Sequence, residues 1–291
     1  MINMDMINTQ INSPVKNKSN SNTVSSLNKH SQPSGANKFG ELIESFSRHF
    51  EIVAATTDEQ IKQSWKLRYQ VYSVENQFEK ADDHPDQLEC DEYDAHSAHS
   101  LLMHRASGLV VGTVRLVLPD PARPDALFPI EEHCGTSFEN TFNRAALPRQ
   151  SLAEISRFAI SKEFKRRIHD TEYVWGSPDI HKSLKQEMAD LERRLIPHIT
   201  IGLFAAIVRM SAMHGITHWY AVMEPALLRL LKQFSINFKP IGSAVNYHGK
   251  RYPCVATASD VLAQMEIGCP EIWRLITNEG KIWPSAYSHA A

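Results

Sequence analysis

A long apolar stripe near the middle of the chain constrains the fold more than any other feature. Apolar and small residues recur at helical spacing over Met188–Met213, which predicts one long helix that Pro197 either starts or kinks and that Gly215 ends. Alternating segments typical of strands lie on both sides of it, at Ala153–Ile160 and Thr217–Met223. Strands that flank a long helix predict a mixed α/β domain.

Further strand and helix signals extend this order in both directions. Thr57 or Asp58 can cap a helix that runs through Val71, and Gly108 marks a turn between two strands. The other predicted elements are a helix at Phe39–Phe50, strands at Glu51–Ala55, Ser100–His104 and Val110–Leu118, a helix at Pro225–Phe234, and a hairpin of Val245–Tyr247 with Tyr252–Thr257. Residues 1–38 are too polar to bury a core, so we expect a disordered extension followed by one domain over 39–291.

Composition excludes several classes of function. The 291 residues carry a formal net charge of -2, which gives no reason to expect a nucleic-acid partner. The four cysteines are scattered without a CxxC pair, so neither a metal site nor a disulfide framework is expected. The N-terminus lacks the apolar stretch of a secretory signal, and the apolar window Ile199–Val208 is too short to span a bilayer. We therefore expect a cytoplasmic protein without stable membrane insertion.

Charged residues occur inside two apolar strand patterns. Arg115 lies in one strand, and Glu154 and Arg157 lie in another, where burial is unfavourable unless the charges are paired. In a regular strand, one face would carry Glu154, Ser156 and Phe158, and the other would carry Ile155, Arg157 and Ala159.

An acidic loop supplies candidate partners for these charges. Asp91 and Asp94 lie in a polar, turn-rich stretch over residues 76–97, and Arg68 lies in the helix before it. Two interpretations stay open: a functional polar network, or arginines that only tie the loop to the sheet.

Four motifs follow one another in this region. They are Arg68-Tyr69-Gln70-Val71-Tyr72, Asp91-Glu92-Tyr93-Asp94, Val111-Gly112-Thr113-Val114-Arg115-Leu116 and Glu154-Ile155-Ser156-Arg157-Phe158. In this order they resemble the acyl-homoserine-lactone (autoinducer) synthases. The C-terminal motifs Gly215–Trp219, Val222–Leu231 and Tyr247–Cys254 are similar to PEP-CTERM/exosortase system-associated acyltransferases, relatives of those synthases and of the N-acyl amino acid synthases.

The resemblance implies a GNAT (acyl-CoA N-acyltransferase-like) fold, a mixed central sheet with splayed central strands flanked by helices. It also implies an acyltransferase with no bound cofactor, which takes acyl carrier protein (ACP) or CoA thioesters as co-substrate and a small amine as acceptor. By the family pattern, the polar site is Arg68, Asp91, Asp94, Arg115, Glu154 and Arg157. Tyr72 and Phe78 fall near the acceptor pocket, where Phe and Trp, respectively, are commoner.

This chemistry predicts roles for the site. Glu154 is the candidate base for the amine, and backbone amides of the splayed strands, helped by Arg157, are expected to stabilise the oxyanion. A basic cluster directly follows the last motif and suits an acidic carrier protein, although a solvated basic face has the same composition. The cluster is Lys162, Lys165, Arg166 and Arg167.

Two other functions stay open. One is a lactone synthase that uses S-adenosylmethionine. The other is a non-catalytic sensor of acyl carrier protein or fatty acid.

Overall fold

The computed structural model describes residues 44, 46–138, 142–162, 181–246 and 249–287, and within 181–195 it describes the backbone alone. The strands are β1 (Phe50–Ala55), β2 (Ser97–His104), β3 (Val110–Val117), β4 (Leu152–Ile160), β5 (His218–Met223), β6 (Lys239–Pro240), β7 (Val245–Asn246) and β8 (Lys250–Thr257). The helices are α1 (Asp58–Tyr69), α2 (Pro129–Cys134), α3 (His181–His214), α4 (Pro225–Gln233), α5 (Ala258–Gly268) and α6 (Pro270–Thr277). A helical turn over 46–49 precedes β1.

The strands form one mixed sheet in the order β1-β2-β3-β4-β5-β8-β6, and β7 pairs with β8. All pairs are antiparallel except β4 with β5, which the long helix α3 connects. The parallel pairing begins at Leu152 opposite His218 and ends at Ile155 opposite Ala221. Because β4 continues to Ile160 without β5 beside it, the two strands diverge there. This confirms the predicted splay at the centre of the sheet.

Helix α1 begins where the sequence predicts. Thr57 is the N-cap, because its side chain accepts a hydrogen bond from the Gln60 amide and the Gln60 side chain accepts one from the Thr57 amide. The helix then widens into a π-helical turn at Gln70–Glu75, which buries Tyr72. Single π turns inside helices are frequently found at functional sites.

Helix α3 packs against one face of the sheet. Its Phe204 ring meets Trp219 of β5 edge-on, with 5.7 Å between centroids. Pro197 lies inside the helix, so it does not start it. Met213 belongs to the predicted apolar face but is 68% exposed, because it lies in the last turn of the helix.

One stretch of α3 is long and apolar enough to cross a membrane. Within the described residues it comprises the 19 residues Ile196–His214 and is 67% buried in the protein. It is longer than the apolar window that the sequence indicates. A mostly buried core helix of a soluble protein passes the same length and composition test, and the packing on β5 fits that description.

Strand β4 contains a bulge that the sequence pattern does not predict. Ser156 lies opposite Arg115 and Ala159 opposite Thr113, so two residues of β4 face one residue of β3. Arg157 takes up the irregularity with φ at 49°. The predicted faces are therefore wrong beyond Ser156: Phe158 packs on the α3 side with Ile155, whereas Ala159 packs against residues of α1.

Candidate functional site

Three arginines and three carboxylates form a closed ring beside the splay of β4 and β5. The arginines come from α1, from β3 and from the bulge of β4, and the carboxylates come from the loop before β2. Each arginine bonds two carboxylates, and each carboxylate bonds two arginines. Around the ring the order is Arg68, Glu89, Arg157, Asp91, Arg115, Asp94 and back to Arg68. We call these six residues the charge ring.

Arg68 and Arg157 each join two carboxylates. Arg68 donates Nη1 and Nη2 to the two carboxylate oxygens of Asp94, at 2.6 and 3.1 Å, and its Nε to Glu89. Arg157 donates Nη2 to Glu89 at 2.9 Å and to Asp91 at 3.0 Å. Paired, charge-assisted bonds of this kind fix the loop relative to the sheet.

Arg115 closes the ring. It donates Nη1 and Nη2 to the two oxygens of Asp91, at 2.5 and 3.0 Å, and Nη1 also reaches Asp94 at 3.0 Å. Its Nε donates to the Ser156 hydroxyl at 2.9 Å. The bulge in β4 is what allows Ser156 and Arg157 to reach the same cluster, although they are neighbours on one strand.

Most of the ring is buried, and its positive and negative charges are equal in number. Only Asp91 and Arg157 keep appreciable exposure, at 19% and 12% of their side chains. Burial alone raises the pKa of Glu89, but Arg157 and Arg68 more than reverse this and hold that pKa well below its usual range. Arg68 and Arg115 do the same for the pKa of Asp94. The three carboxylates therefore stay ionised and balance the three arginines.

Glu154 stands apart from the charge ring. It lies on β4 before the bulge, is 2% exposed, and accepts a hydrogen bond from the Ile130 amide at 2.7 Å. Burial raises the pKa of Glu154 to about 7, against the opposing effects of the Ile130 amide and Arg115. Within the described part of the chain, no arginine forms an ion pair with it.

A cavity joins Glu154 to the exposed edge of the ring. It has a volume of about 50 Å³ and lies between α2 and the point where β4 and β5 diverge. Its wall includes Glu154, Asp91, Arg115 and Arg157, with Val222 from β5. A group of titratable side chains with shifted pKa values around one cavity is typical of a functional site.

Two aromatic residues lie behind the ring. The Arg157 guanidinium lies over Tyr72 at 5.5 Å from the ring centroid, and burial raises the pKa of this tyrosine to about 12. The Phe78 amide donates to the Tyr72 carbonyl at 2.7 Å. Tyr72 therefore lies beside the charge ring, and Phe78 packs in the same apolar cluster as Tyr72.

The C-terminal half adds a pair beside Phe78 that the sequence-based site did not include. Arg251 of β8 places its guanidinium 5.9 Å from the Phe78 centroid and donates to Glu224 at 2.8 Å. Both are buried, and Glu224 directly follows β5. The sequence indicates Glu224 only by its position, as an acidic residue between an apolar strand and Pro225.

Glu89 is the third residue that the sequence-based site missed. It lies two residues before Asp91 and completes the charge balance of the ring. Three buried arginines require three counter-charges, so the two predicted aspartates indicate that one carboxylate is missing, but the sequence does not identify it.

The predicted carrier-binding cluster is described only in part. The Lys162 amide donates to Glu75 at 3.0 Å and its Nζ donates to Asn76 at 2.5 Å, so it packs against the π-helical turn. Lys165, Arg166 and Arg167 lie outside the described residues.

A profile of the acetyltransferase (GNAT) domain matches residues 67–175. No curated protein matches the chain in sequence. Among solved structures, the AHL (acyl-homoserine lactone) synthase LasI aligns with a TM-score of 0.51 at 16% identity, over 76% of this chain and 94% of LasI. TofI, in a ternary complex with an inhibitor and MTA, aligns with a TM-score of 0.51 at 17% identity, over 76% of this chain and 95% of TofI. BjaI, a CoA-dependent acyl-homoserine lactone synthase with MTA, aligns with a TM-score of 0.50 at 16% identity, over 77% of this chain and 89% of BjaI. Residues 67–175 therefore resemble a GNAT acetyltransferase domain, and the chain has the fold of the acyl-homoserine lactone synthases.

Proposed function

We propose that this protein transfers a fatty acyl group from an acyl thioester to the amine of an amino acid or similar small acceptor. The observation that carries the proposal is Glu154, a buried carboxyl group facing a cavity at the divergence of β4 and β5. The divergence exposes strand backbone to a thioester, and the cavity brings a proton acceptor to the same point.

Glu154 is suited to act as the base. An acceptor amine is protonated near neutral pH and must lose a proton before its nitrogen attacks the thioester carbonyl. A carboxylate with a pKa of about 7 exchanges protons efficiently under these conditions. The C–N bond forms, the C–S bond breaks, and the proton held by Glu154 passes to the leaving thiolate.

The size of the cavity limits what it receives. A volume of about 50 Å³ holds an ammonium group or a water molecule, but not a whole amino acid. The reacting nitrogen of the acceptor, or a water that relays its proton, therefore lies beside Glu154. We assign Tyr72 and Phe78 to the rest of the acceptor because the family pattern has its acceptor pocket there, although neither residue lines the cavity at Glu154.

The charge ring divides into a supporting part and a binding part. Arg68, Asp94 and Arg115 are bonded within the ring and nearly inaccessible, so they act as positioning residues. Asp91 and Arg157 keep exposed atoms at the cavity. We assign Asp91 to the acceptor's ammonium group and Arg157 to a carboxylate, with the oxyanion bound by backbone amides of β4.

The thioester is carried by acyl carrier protein or by CoA. We assign Lys162, with Lys165, Arg166 and Arg167, to the surface that meets an acidic carrier protein. Comparing rates with acyl-ACP and acyl-CoA of the same chain length tests this assignment. A rate with acyl-CoA equal to that with acyl-ACP contradicts it.

A second candidate is lactone synthesis with S-adenosylmethionine as the amine. The fold likeness to LasI and BjaI favours it. The two candidates differ in the product, which is either a linear N-acyl amino acid or an acyl-homoserine lactone.

Mass spectrometry of lipid extracts separates the candidates. Cells that express the wild type, Glu154→Gln or the control Glu92→Gln are compared, since Glu92 is exposed on the same loop as the ring carboxylates. We expect new N-acyl amino acids with the wild type and the control, and at least a hundredfold less with Glu154→Gln.

Other outcomes would change the assignment. A lactone product supports the second candidate. Unchanged product with Glu154→Gln shows that Glu154 is not the base. No product from purified protein with any thioester, while acyl carrier protein still co-purifies, would identify a sensor and overturn the proposal.

A further inference from the structure

A larger cavity lies away from the proposed acyl-transfer site. It has a volume of about 520 Å³ and lies between the segment 46–52, the C-terminal part of α3 and helix α6. It shares no lining residue with the cavity at Glu154. Its size falls in the range of about 300–1,000 Å³ that is typical of small-molecule sites.

One side of this cavity is apolar. Phe46 and Phe50 stack with 5.7 Å between their centroids, and Ile52 and Leu275 also contribute to the wall. A surface of this kind buries a short hydrocarbon chain, at roughly 0.8 kcal/mol for each methylene group removed from water.

The charged side of the cavity contains three arginines, and two of them face their own carboxylates. Arg105 donates to Glu51 at 3.0 Å and to the Phe50 carbonyl at 3.1 Å. Arg274 faces Glu279 at 3.9 Å on the exposed rim. These charges are balanced without a ligand.

Arg209 of α3 differs from the other two. Its Nε is buried, and it has no hydrogen-bond partner among the described residues. Burial lowers the pKa of Arg209, and none of the cavity's carboxylates contributes to this shift. Glu271, which also lines the cavity, forms no ion pair with it within the described residues. A partly desolvated guanidinium without a counter-charge is unfavourable, and an anion would relieve this.

We propose that this cavity binds an amphipathic carboxylate such as a short free fatty acid. The carboxylate pairs with Arg209, and the hydrocarbon chain lies against Phe46, Phe50, Ile52 and Leu275. A guanidinium fork matches a carboxylate geometrically, and the apolar wall selects acids with a chain over acetate. This inference is independent of the proposed acyl transfer, because it uses none of the same residues.

Calorimetric titration of the full chain with sodium octanoate tests the proposal. Octanol serves as the uncharged probe and acetate as the probe without a chain. The variants are Arg209→Gln and the matched control Arg274→Gln, each checked for an unchanged melting temperature. We expect saturable binding of octanoate to the wild type, at least tenfold weaker binding to Arg209→Gln, and a change below twofold for Arg274→Gln.

Binding at the acyl-transfer cleft would give a different pattern. Octanoate bound there would have the same affinity for the wild type and for Arg209→Gln, and this result would overturn the proposal. Octanol binding as tight as octanoate binding would also overturn it. Glu154→Gln is expected to leave octanoate affinity unchanged, so failure of the acyl-transfer proposal leaves this test intact.

Discussion

At the scale of single residues, Glu154 is a buried carboxyl group whose pKa is raised, unlike the carboxylates of the charge ring. Its carboxyl group is almost fully buried, and it faces a cavity lined by two arginines. The protein keeps this group near its titration point at neutral pH, while Glu89 and Asp94, also on the site, stay ionised. Two kinds of carboxyl group, separated by their surroundings, are typical of sites that bind with one kind and move protons with the other.

The pH dependence of the rate should report the titration of Glu154. Below a pKa of about 7 the base is protonated, so kcat/KM is expected to rise about tenfold per pH unit and to level off above pH 7. Rates measured from pH 5 to 8.5 check this. In Glu154→Gln the inflection near 7 should vanish, while the titration of the acceptor amine persists in both proteins. An inflection retained in the variant would assign it to another group.

Removing one carboxylate from the charge ring should destabilise the fold. Glu89→Gln leaves Arg68 and Arg157 without one buried counter-charge, and we expect a loss of about 3 kcal/mol in the free energy of unfolding. Urea denaturation measures this loss. Glu92→Gln, an exposed change in the same loop, is the control and should stay within about 0.5 kcal/mol of the wild type. Equal stability of the two variants would mean that the ring contributes nothing to the fold.

At the scale of elements, strand β4 shows where sequence patterns stop being informative. The alternation of polar and apolar residues located the strand correctly, but the bulge reversed its faces beyond Ser156. A left-handed residue such as Arg157 gives no signal in the sequence when it is not glycine or asparagine. The family pattern grouped six motif residues, and the structure brings five of them into the charge ring with Glu154 beside it. Glu89 and Arg251, by contrast, depend on contacts between distant segments.

Helix α3 approaches its neighbours closely at one glycine. A Cβ atom at Gly202 would lie 2.5 Å from Cε2 of Phe46 and 3.0 Å from Cδ1 of Leu102, and both side chains are buried. Alanine favours a helix by about 1 kcal/mol over glycine. The energetic cost of the clash is expected to exceed this gain, because a buried phenyl ring has no room to move.

We therefore expect Gly202→Ala to lower the free energy of unfolding by about 1 kcal/mol despite its higher helix propensity. Thermal or urea unfolding checks the sign of the change. Met213→Ala, on an exposed position of the same helix, should be close to neutral. A stabilised Gly202→Ala protein would show that the turn over 46–49 tolerates displacement.

At the scale of the whole molecule, the sequence located the central elements because each has a strong local signal. The two strands that diverge were predicted to within one residue of their observed bounds. The end of the long helix was also predicted to within one residue, but the helix begins seven residues earlier than predicted. Helices α5 and α6 were not predicted, although Pro270 in the first turn of α6 is a typical helix-start signal. The order of β8 and β6 along the sheet also depends on packing that has no local signature.

Domain boundaries give a prediction at this scale. Deleting residues 1–38 is expected to leave both the melting temperature and acyl transfer unchanged, because that segment is too polar to contribute to a core. Differential scanning calorimetry and the acyl-transfer assay check this. A drop in either would place part of the segment in the domain.

A longer deletion, of residues 1–49, serves as the contrasting variant. It also removes Phe46, which stacks on Phe50 and packs against Gly202. The loss of a buried phenyl group should lower the melting temperature by roughly 10 °C.

The closed form of the charge ring has a consequence for how such proteins diversify. Replacing any one arginine and one carboxylate by apolar side chains leaves each neighbour with half of its partners, so no short series of tolerated substitutions leads away from the ring. Descendants of this chain are expected to inherit its six residues as a block. Changes in acceptor preference would then accumulate at Tyr72, which lies under the Arg157 guanidinium, and at Phe78, which packs in the same apolar cluster as Tyr72.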